Sequence, residues 1–211
     1  MCSGKVCSHH KNEQRNSVLR CCACLLFFIF LILLTVLLIW AILKPKKPRF
    51  TLEDATIFTL NVSAPNVIST SVQVTINSRN PNSRIGIYYD KMYVYATYSN
   101  QQITFFTVIP PVYQGHKDVN VWSPFVYGSD VPIAPYNGIA LSLVQSSGAP
   151  IEMTIKIDGR LKWKVGSLTT GRYHIHVNCP VSIKLGNSNS TGIIVGHGVK
   201  YQISQRCSVS V

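Results

Sequence analysis

The fold is decided by the stretch SVQVTIN at residues 71–77. Its apolar and polar side chains alternate, and a period of two predicts a β-strand with one buried face. The same alternation returns along the chain in residues 58–62, 92–98, 119–121, 153–157, 161–165, 173–179, 181–185 and 199–203. About eight short strands without alternating helices predict an antiparallel β-sandwich.

Turn-forming residues separate these runs. They are Asn80-Pro81-Asn82, Ser99-Asn100, Asp158-Gly159, Gly186-Asn187 and Gly196-His197-Gly198. Residues 135–146 depart from the alternation, because Ile139, Ala140 and Leu143 are spaced for one face of a helix. The sequence therefore predicts a mainly β domain with at most one short helix.

An apolar block precedes the β domain. Residues 25–43 have Thr35 as their single polar side chain and would extend about 28 Å as a helix, close to the roughly 30 Å hydrocarbon core of a bilayer. A cleaved signal has a shorter apolar region that ends in small residues, and a buried core helix has a polar stripe. Neither feature occurs in this block, so we expect a single membrane-spanning helix.

The predicted organisation has four parts. They are a basic, cysteine-containing tail, a membrane helix, a stiff basic stalk with two prolines and a β-sandwich, at residues 1–24, 25–43, 44–49 and 50–211. The cations on the two sides of the helix are equal in number and do not orient it. Sequons for N-glycosylation at Asn61 and Asn189 both lie on the C-terminal side, and glycosylation requires that side to be lumenal. We therefore expect a cytoplasmic N-terminus and an extracytoplasmic β domain.

The distribution of cysteines agrees with this orientation. Five of the seven precede the β domain, as expected for reduced thiols in the cytosol, and two lie within it, as expected for one disulfide outside. Three lie where the helix meets the membrane interface and suit reversible S-acylation, or else fill the helix end as small apolar residues: Cys21, Cys22 and Cys24. Cys2 and Cys7 with the neighbouring histidines lack the spacing of a closed zinc site, so no metal site is predicted there.

The two cysteines of the β domain are Cys179 and Cys207. Each is in phase with the apolar residues of its run, so both thiols point to the buried side. A disulfide follows if these last strands pair in space. It would close a loop of about 27 residues and stabilise the domain by roughly 3 kcal/mol.

Positive charge is concentrated beside the predicted membrane helix. The formal net charge is +12, of which the tail contributes +3 and the stalk +4. These two basic collars are expected to contact anionic lipid. Nucleic acid is not an expected partner, because the domain carries little of the charge and lies in the wrong compartment. Four cations around a predicted hairpin form either a solvated face or a contact for acidic polysaccharide, lipid or protein: Lys156, Arg160, Lys162 and Lys164.

Motifs for catalysis and cofactor binding are absent from the sequence. Residues 166–171 resemble a phosphate-binding loop in composition, but they lead into a strand rather than a helix. His174 and His176 lie on one face of a strand and would share a metal only with a third ligand. Two solvent-facing histidines that respond to mild acid are favoured. No enzyme activity, cofactor or bound metal is predicted.

The segment NPNSRIGIYYD at residues 80–90 carries a family resemblance. Its motif residues are Asn80, Pro81, Asn82, Arg84, Gly86, Tyr88, Tyr89 and Asp90, and the likeness continues through residues 113–117, 159–166 and 173–179. On these residues the chain resembles the plant harpin-induced-like proteins, related to the non-race-specific disease resistance proteins, which carry a late embryogenesis abundant group 2 domain. The resemblance implies a plasma-membrane protein with an extracellular sandwich and a role in pathogen defence and stress signalling.

The Asn-Pro-Asn motif also has a physical interpretation. Asn80 can cap a turn with its side chain, Pro81 fixes φ, and Asn82 tolerates the left-handed conformation, which favours a structural turn over a ligand site. Gly86 permits a bulge or a close backbone approach where the next strand begins. Arg84 is the one residue of the motif that turn chemistry does not explain.

Two functions are therefore expected. The first is a non-enzymatic interaction module at the plasma membrane, whose partner is an unidentified protein or a cell-wall polymer. The alternative is a structural tether or lipid-contact protein that joins the plasma membrane to the cell wall or to another membrane. The sequence leaves homo-oligomerisation open.

Overall fold

The computed structural model describes residues 4–43, 45–63, 66–184, 193–195 and 198–211. The chain forms two compact units, Met1–Lys44 and Pro45–Val211. Asn189, Cys2, and the expected turns at residues 186–187 and 196–197 lie outside the described residues.

The first unit is one α-helix, α1 (Gly4–Leu43). Its segment Leu19–Leu38 has a mean hydropathy of 3.2 and is long and apolar enough to cross a membrane. Thr35, the polar residue of this segment, donates its hydroxyl hydrogen bond to the carbonyl oxygen of Ile32 at 2.8 Å, so the helix itself satisfies it. The helix begins well before residue 25, so most of the basic tail is helical as well.

The second unit contains one helix and fourteen strands within the described residues. The helix is α2 (Pro135–Ser147). The strands are β1 (Arg49–Ser63), β2 (Val67–Arg79), β3 (Gly86–Tyr98), β4 (Gln101–Gln102), β5 (Thr107–Ile109), β6 (Val112–Gln114), β7 (Val119–Trp122), β8 (Phe125–Pro132), β9 (Pro150–Val165), β10 (Leu168–Thr169), β11 (Tyr173–Lys184), β12 (Ile193–Val195), β13 (Gly198–Arg206) and β14 (Ser208–Ser210).

These strands form two antiparallel sheets. Sheet A has the order β12-β13-β1-β2-β7, with β8 also paired to β2. Sheet B has the order β14-β11-β9-β3-β4, with β10 on β9 and with β5 and β6 on β3. The apolar residues of each alternating strand are buried, as at Val74 and Ile76 in sheet A and Ile155 and Ile157 in sheet B. The prediction of a mainly β, antiparallel sandwich after an N-terminal apolar helix is therefore confirmed.

The expected turn at Asp158-Gly159 is wrong, because β9 runs without interruption through both residues. Gly159 instead faces a bulge in β3, between Tyr89 and Met92. A Cβ on Gly159 would clash with the backbone carbonyl oxygen of Lys91, so this glycine allows a close approach of two strands rather than a reversal of the chain. The two runs expected at 173–179 and 181–185 are likewise one strand as far as Lys184.

The short helix expected at 135–146 is present as α2, but its apolar stripe does not face the core. Ile139 and Leu143 are about 60% exposed, whereas Leu141 and Asn137 are buried. The Asn137 side chain is held in the domain by a 2.9 Å hydrogen bond to Oε1 of Gln101. The helix therefore docks by a different face from the one that spacing alone indicated.

The disulfide between Cys179 and Cys207 is present in the structure. Cys179 lies on β11, and Cys207 immediately precedes β14, which pairs with β11 as far as Asn178 opposite Ser208. The other strand beside Cys207, β13, belongs to sheet A and does not pair with β11. Cys207 lies where the chain leaves β13 in sheet A and enters β14 in sheet B, and its backbone N–H donates to the carbonyl oxygen of Phe50 at 3.0 Å. The bond therefore closes the β11–β14 pair at the point where the chain crosses from sheet A to sheet B.

Candidate functional site

The Asn-Pro-Asn motif is a buried structural junction. Asn80 is fully buried, and its side-chain N–H groups donate to the carbonyl oxygens of Ile85 and Gly115, both at 2.8 Å. Its Oδ1 accepts from the backbone N–H of Asn82 at 3.0 Å, the local bond expected of a turn-capping asparagine. One amide side chain thus holds three backbone groups, two in its own loop and one at Gly115.

Asn82 ties the stalk to the β domain. Its Oδ1 accepts from the backbone N–H of Lys46, and its Nδ2 donates to the carbonyl oxygen of the same residue, both at 2.8 Å. Lys117 contacts the motif from the other side, since its backbone N–H donates to the carbonyl oxygen of Asn82 and its ammonium group to that of Pro81. The oxygen and nitrogen atoms of both asparagine side chains are therefore hydrogen-bonded within the junction, as a structural turn requires.

Tyr89 extends the junction into the core. Its hydroxyl lies 2.9 Å from the hydroxyl of Ser78 and donates to Oε1 of Gln114 at 3.0 Å. Burial raises the pKa of this tyrosine far above its ordinary value, so it stays a neutral donor.

Gly86 lies against the ring of Tyr113, where a Cβ would clash.

The solvent side of sheet B carries the remaining chemistry. We call this surface the basic–aromatic face and define it by Tyr88, Asp90, Tyr93, Tyr95, Tyr113, Lys156, Asp158, Arg160, Lys162, Lys164, Arg172, His174, His176 and the bulge residue Lys91. The four cations that were expected around a hairpin all lie on the single strand β9. They occupy every second position from Lys156 to Lys164, apart from the one between Lys156 and Arg160, which is Asp158. They therefore form one row.

A hydrogen-bonded network lies at the centre of this face. Nδ1 of His176 lies 2.6 Å from Oδ1 of Asp158, and the Tyr95 hydroxyl donates to Oδ2 of the same carboxylate at 2.6 Å. Burial, together with the bond to Asp158, raises the pKa of Tyr95 to about 12. One aspartate thus connects residues from three neighbouring strands, β3, β9 and β11.

Charges on the face are only partly paired. Nε of Arg172 lies 3.3 Å from Oδ2 of Asp90, and the Lys162 ammonium lies 3.9 Å from the same oxygen. The Lys164 ammonium lies 5.0 Å from the centre of the Tyr113 ring, within the range of a cation–π contact. The surface is therefore cationic with flat aromatic area beside the charges.

A concavity of about 330 Å³ lies on the face, lined by Lys91, Tyr93, Asp158, Arg160, His174 and His176. The two imidazole rings are stacked with centroids 6.5 Å apart. No group of three metal-binding side chains occurs in the part of the chain that the structure describes. The surrounding lysine and arginine also disfavour a cation, so the histidines fit the solvent-facing interpretation better than a metal site.

A larger groove of about 770 Å³ is lined by residues of β11 and β13, such as Ser182 and Gln202, and extends to Ser99. Glu152 is the one charged side chain in its described lining. The basic–aromatic face has the higher density of chemically active groups and is the better candidate site.

The expected modification sites have different surroundings. Asn61 is exposed on β1, on the polar side of its strand. Cys21, Cys22 and Cys24 are exposed free thiols on α1. Arg84 is exposed and takes no part in the junction formed by its neighbours.

Sequence reasoning missed the roles of Asp158, Tyr95 and Arg172. The signal for Asp158 was available, because residues 156–164 alternate through it, but Asp-Gly is also a strong turn signal. No local pattern connects Arg172 with Asp90, since their contact depends on how the strands pair.

Residues 75–179 match the late embryogenesis abundant protein family LEA_2. The chain is 53% identical to NDR1/HIN1-like protein 1 of Arabidopsis thaliana, over 98% of this chain and 100% of the relative. It is 54% identical to NDR1/HIN1-like protein 12 of the same plant, over 98% and 99% of the two chains. The chain belongs to the NDR1/HIN1-like family. The resemblance seen in residues 80–90 is thereby confirmed.

Among solved structures, a late embryogenesis abundant protein determined in solution matches with a TM-score of 0.32 and 17% identity, over 67% of this chain and 73% of that one. The assignment to the NDR1/HIN1-like family rests on the sequence matches.

Proposed function

We propose that this NDR1/HIN1-like protein is a non-enzymatic interaction module, held at the plasma membrane by α1, that acts in plant defence or stress signalling. The basic–aromatic face is the surface that meets the partner. Family membership supports a role in stress or defence. The observation that carries the interaction role is the row of cations on β9, flanked by tyrosines on β3.

The chemistry of this face suits an acidic partner. Its ion pairs are partly exposed, and such pairs contribute little to stability, so the cations can exchange intramolecular carboxylates for those of a partner. Tyrosine and arginine are enriched among the residues that dominate binding energy at interfaces. Tyr88 and Tyr93, each about 40% exposed, supply rigid contact area at low cost in conformational entropy.

Crosslinking of the intact protein in plant cells tests this role. The variant Arg160→Gln/Lys164→Gln removes two cations from the face, and we expect it to lose the protein partners that the wild type captures. The matched control, Arg79→Gln/Arg206→Gln, removes the same charge from sheet A and should retain them. Equal capture by both variants would refute the assignment of the interaction to this face.

The proposed topology has a cytoplasmic N-terminus and an extracellular β domain. It is supported by the exposed position of Asn61, by the disulfide in the β domain and by the free thiols on α1. Glycosidase treatment should increase gel mobility, and the increase should vanish in an Asn61→Gln/Asn189→Gln variant. External protease should also digest the β domain on intact cells; protection of the domain would contradict this orientation.

The alternative function, a tether to a second surface, is favoured by α2. This helix lies at the end of the domain opposite the stalk, since the N–H of Ile133 just before it bonds to Asn66 in the β1–β2 loop. It carries no charge and exposes Tyr136, Ile139 and Leu143. If the protein is a tether, vesicles containing the full chain will capture protein-free vesicles, and Ile139→Ser/Leu143→Ser will abolish capture.

A further inference from the structure

A second cationic cluster lies on sheet A, at the end of the domain next to the stalk. Arg49 on β1 is directly opposite Arg79 on β2, and Thr51 is opposite Arg206 on β13. Residues opposite each other, or two apart on one strand, share a face of the sheet. Because Phe50 is buried, these three arginines share the outer face. Arg79 is 30 residues after Arg49, and Arg206 is 127 residues after Arg79, so strand pairing alone brings them together.

The charges in this cluster are uncompensated. Like charges directly opposite in an antiparallel pair are destabilising, and Arg206 is diagonal to Arg49, at a spacing of about 7–8 Å. None of the three arginines forms an ion pair with a carboxylate among the residues that the structure describes. The acidic side chain next along β1, Glu53, instead accepts a 2.7 Å hydrogen bond from the amide of Asn77. An anion from outside the chain would relieve this repulsion.

The cluster lines a groove rather than a flat surface. The groove has a volume of about 480 Å³, and Lys47 joins the three arginines in its lining, which contains no carboxylate among the described residues. A guanidinium group presents a planar fork of donors that matches the oxygens of a phosphate. Four cations around one concavity therefore fit a phosphate group.

The connection between α1 and the β domain is short. Asn82 holds both the backbone N–H and the carbonyl of Lys46, so the domain is fixed at that residue. Lys46 is three residues beyond Leu43, the last residue of α1, and three residues span at most about 11 Å. The polar headgroup layer extends about 5–8 Å beyond the hydrocarbon core on each side. If α1 spans the membrane, as the proposed function requires, lipid phosphates are within the reach of this short connection.

We propose that this groove binds the phosphate of an anionic lipid headgroup, and so sets the orientation of the β domain on the membrane surface. The contact goes beyond a basic stalk lying on lipid, because Arg79 and Arg206 are far from the stalk in sequence. It rests on the membrane anchoring proposed above, and on no property of the basic–aromatic face.

Photocrosslinking of the full-length protein in phosphatidylcholine nanodiscs tests the proposal. A trace of phosphatidylinositol carries the photoreactive group either in its headgroup or in its acyl chain, and mass spectrometry locates the adducts. The headgroup probe is expected to label the groove, around Arg49, Arg79 and Arg206. Each cation at a membrane surface changes binding by about fivefold, so Arg79→Gln/Arg206→Gln should lower this labelling by about 30-fold. The control Arg160→Gln/Lys164→Gln should leave it unchanged.

The outcomes separate this inference from the proposed function. Absence of acyl-chain adducts on α1 would show that the helix is not in the bilayer, and the anchoring itself would fail. The lipid site alone would be overturned by either of two results obtained with α1 labelled by the acyl-chain probe. In the first, the headgroup probe does not label the groove. In the second, it labels the groove equally in the wild type and in the Arg79→Gln/Arg206→Gln variant. Loss of groove labelling when inorganic phosphate replaces chloride at constant ionic strength would assign the groove to a soluble anion instead. Arg79, Arg206 and Arg160 are exposed and Lys164 is half-buried, and an unchanged near-ultraviolet circular dichroism spectrum will verify that the variants are folded.

Discussion

Replacing Asn80 by aspartate tests whether the Asn-Pro-Asn junction organises the base of the domain. The substitution keeps the shape of the side chain and its acceptor oxygen, which bonds to Asn82. It exchanges the amide nitrogen, which donates to the carbonyl oxygens of Ile85 and Gly115, for a second acceptor. Both carbonyls then face a carboxylate in a site that is fully buried.

The magnitude follows from the two lost donors. A buried polar group left without its partner costs about 1–3 kcal/mol, so Asn80→Asp should lower the free energy of unfolding by about 2–6 kcal/mol. For a domain of this size each kcal/mol lowers Tm by about 2–4 °C. We therefore expect Tm to fall by at least about 4 °C.

The effect should depend on pH in a defined direction. Burial without a counter-charge raises the pKa of the introduced carboxyl group above its unfolded value of about 3.9. A raised folded-state pKa means that folding favours the protonated form, which again has one hydrogen to donate. The loss in free energy of unfolding relative to wild type is thus greatest above the folded-state pKa of the introduced carboxyl group. It shrinks as the pH falls toward the pKa of that group in the unfolded chain. Asn80→Ala introduces no titrating group, so its deficit should be independent of pH.

Urea unfolding of the full-length protein, followed by near-ultraviolet circular dichroism at neutral and acidic pH, measures these differences. Asn178→Asp is the matched control, because Asn178 is exposed on β11 and the same change there should have little effect. A deficit below about 1 kcal/mol for Asn80→Asp would refute the role assigned to the buried amide. A destabilisation that does not shrink on acidification would refute the expected rise in the pKa of the introduced carboxyl group.

Three further predictions concern the sheets. Gly159→Ala should destabilise the domain by about 1–3 kcal/mol in urea unfolding, because its Cβ meets backbone, whereas Gly171→Ala has open space and should not. The pKa of Tyr95 lies above its ordinary value, so its contribution to stability is full below pH 10 and is lost as pH rises to about 12. Asp158→Asn should lower that pKa, as measured by absorbance of the phenolate during alkaline titration; an unchanged titration would contradict the role of the carboxylate. Arg79→Gln should raise stability by about 0.2–1 kcal/mol at low salt, by relief of like-charge repulsion, and the gain should disappear at high salt.

Local patterns were sufficient for much of the architecture. Alternation at residues 71–77 identified β2, and the apolar block at 25–43 identified the candidate span in α1. They failed at Asp158-Gly159, because an Asp-Gly pair has the same sequence in a turn and in a strand that faces a bulge. They also failed on α2, where helical spacing was right but the buried face contains Asn137 and Leu141 rather than Ile139 and Leu143.

The candidate surfaces depended still more on pairing. Residues 156–164 predict a cationic row, but only the register of β3, β9 and β11 connects Asp158 to both Tyr95 and His176. The order of strands in sheet A likewise brings Arg49, Arg79 and Arg206 together, and nothing near any of them in sequence indicates the cluster.

The sequence by itself determined the class of the domain, the apolar helix, the family and the identity of the disulfide cysteines. These properties reside in periodicity, composition and short motifs, which act over a few residues at a time. The tertiary structure alone decided which outward-facing side chains are neighbours, how Asn82 holds the stalk, and that the disulfide lies where the chain crosses from one sheet to the other. The physical reason is that a period of two says which residues leave the core, whereas the register and order of strands far apart in the chain decide where on the surface they meet.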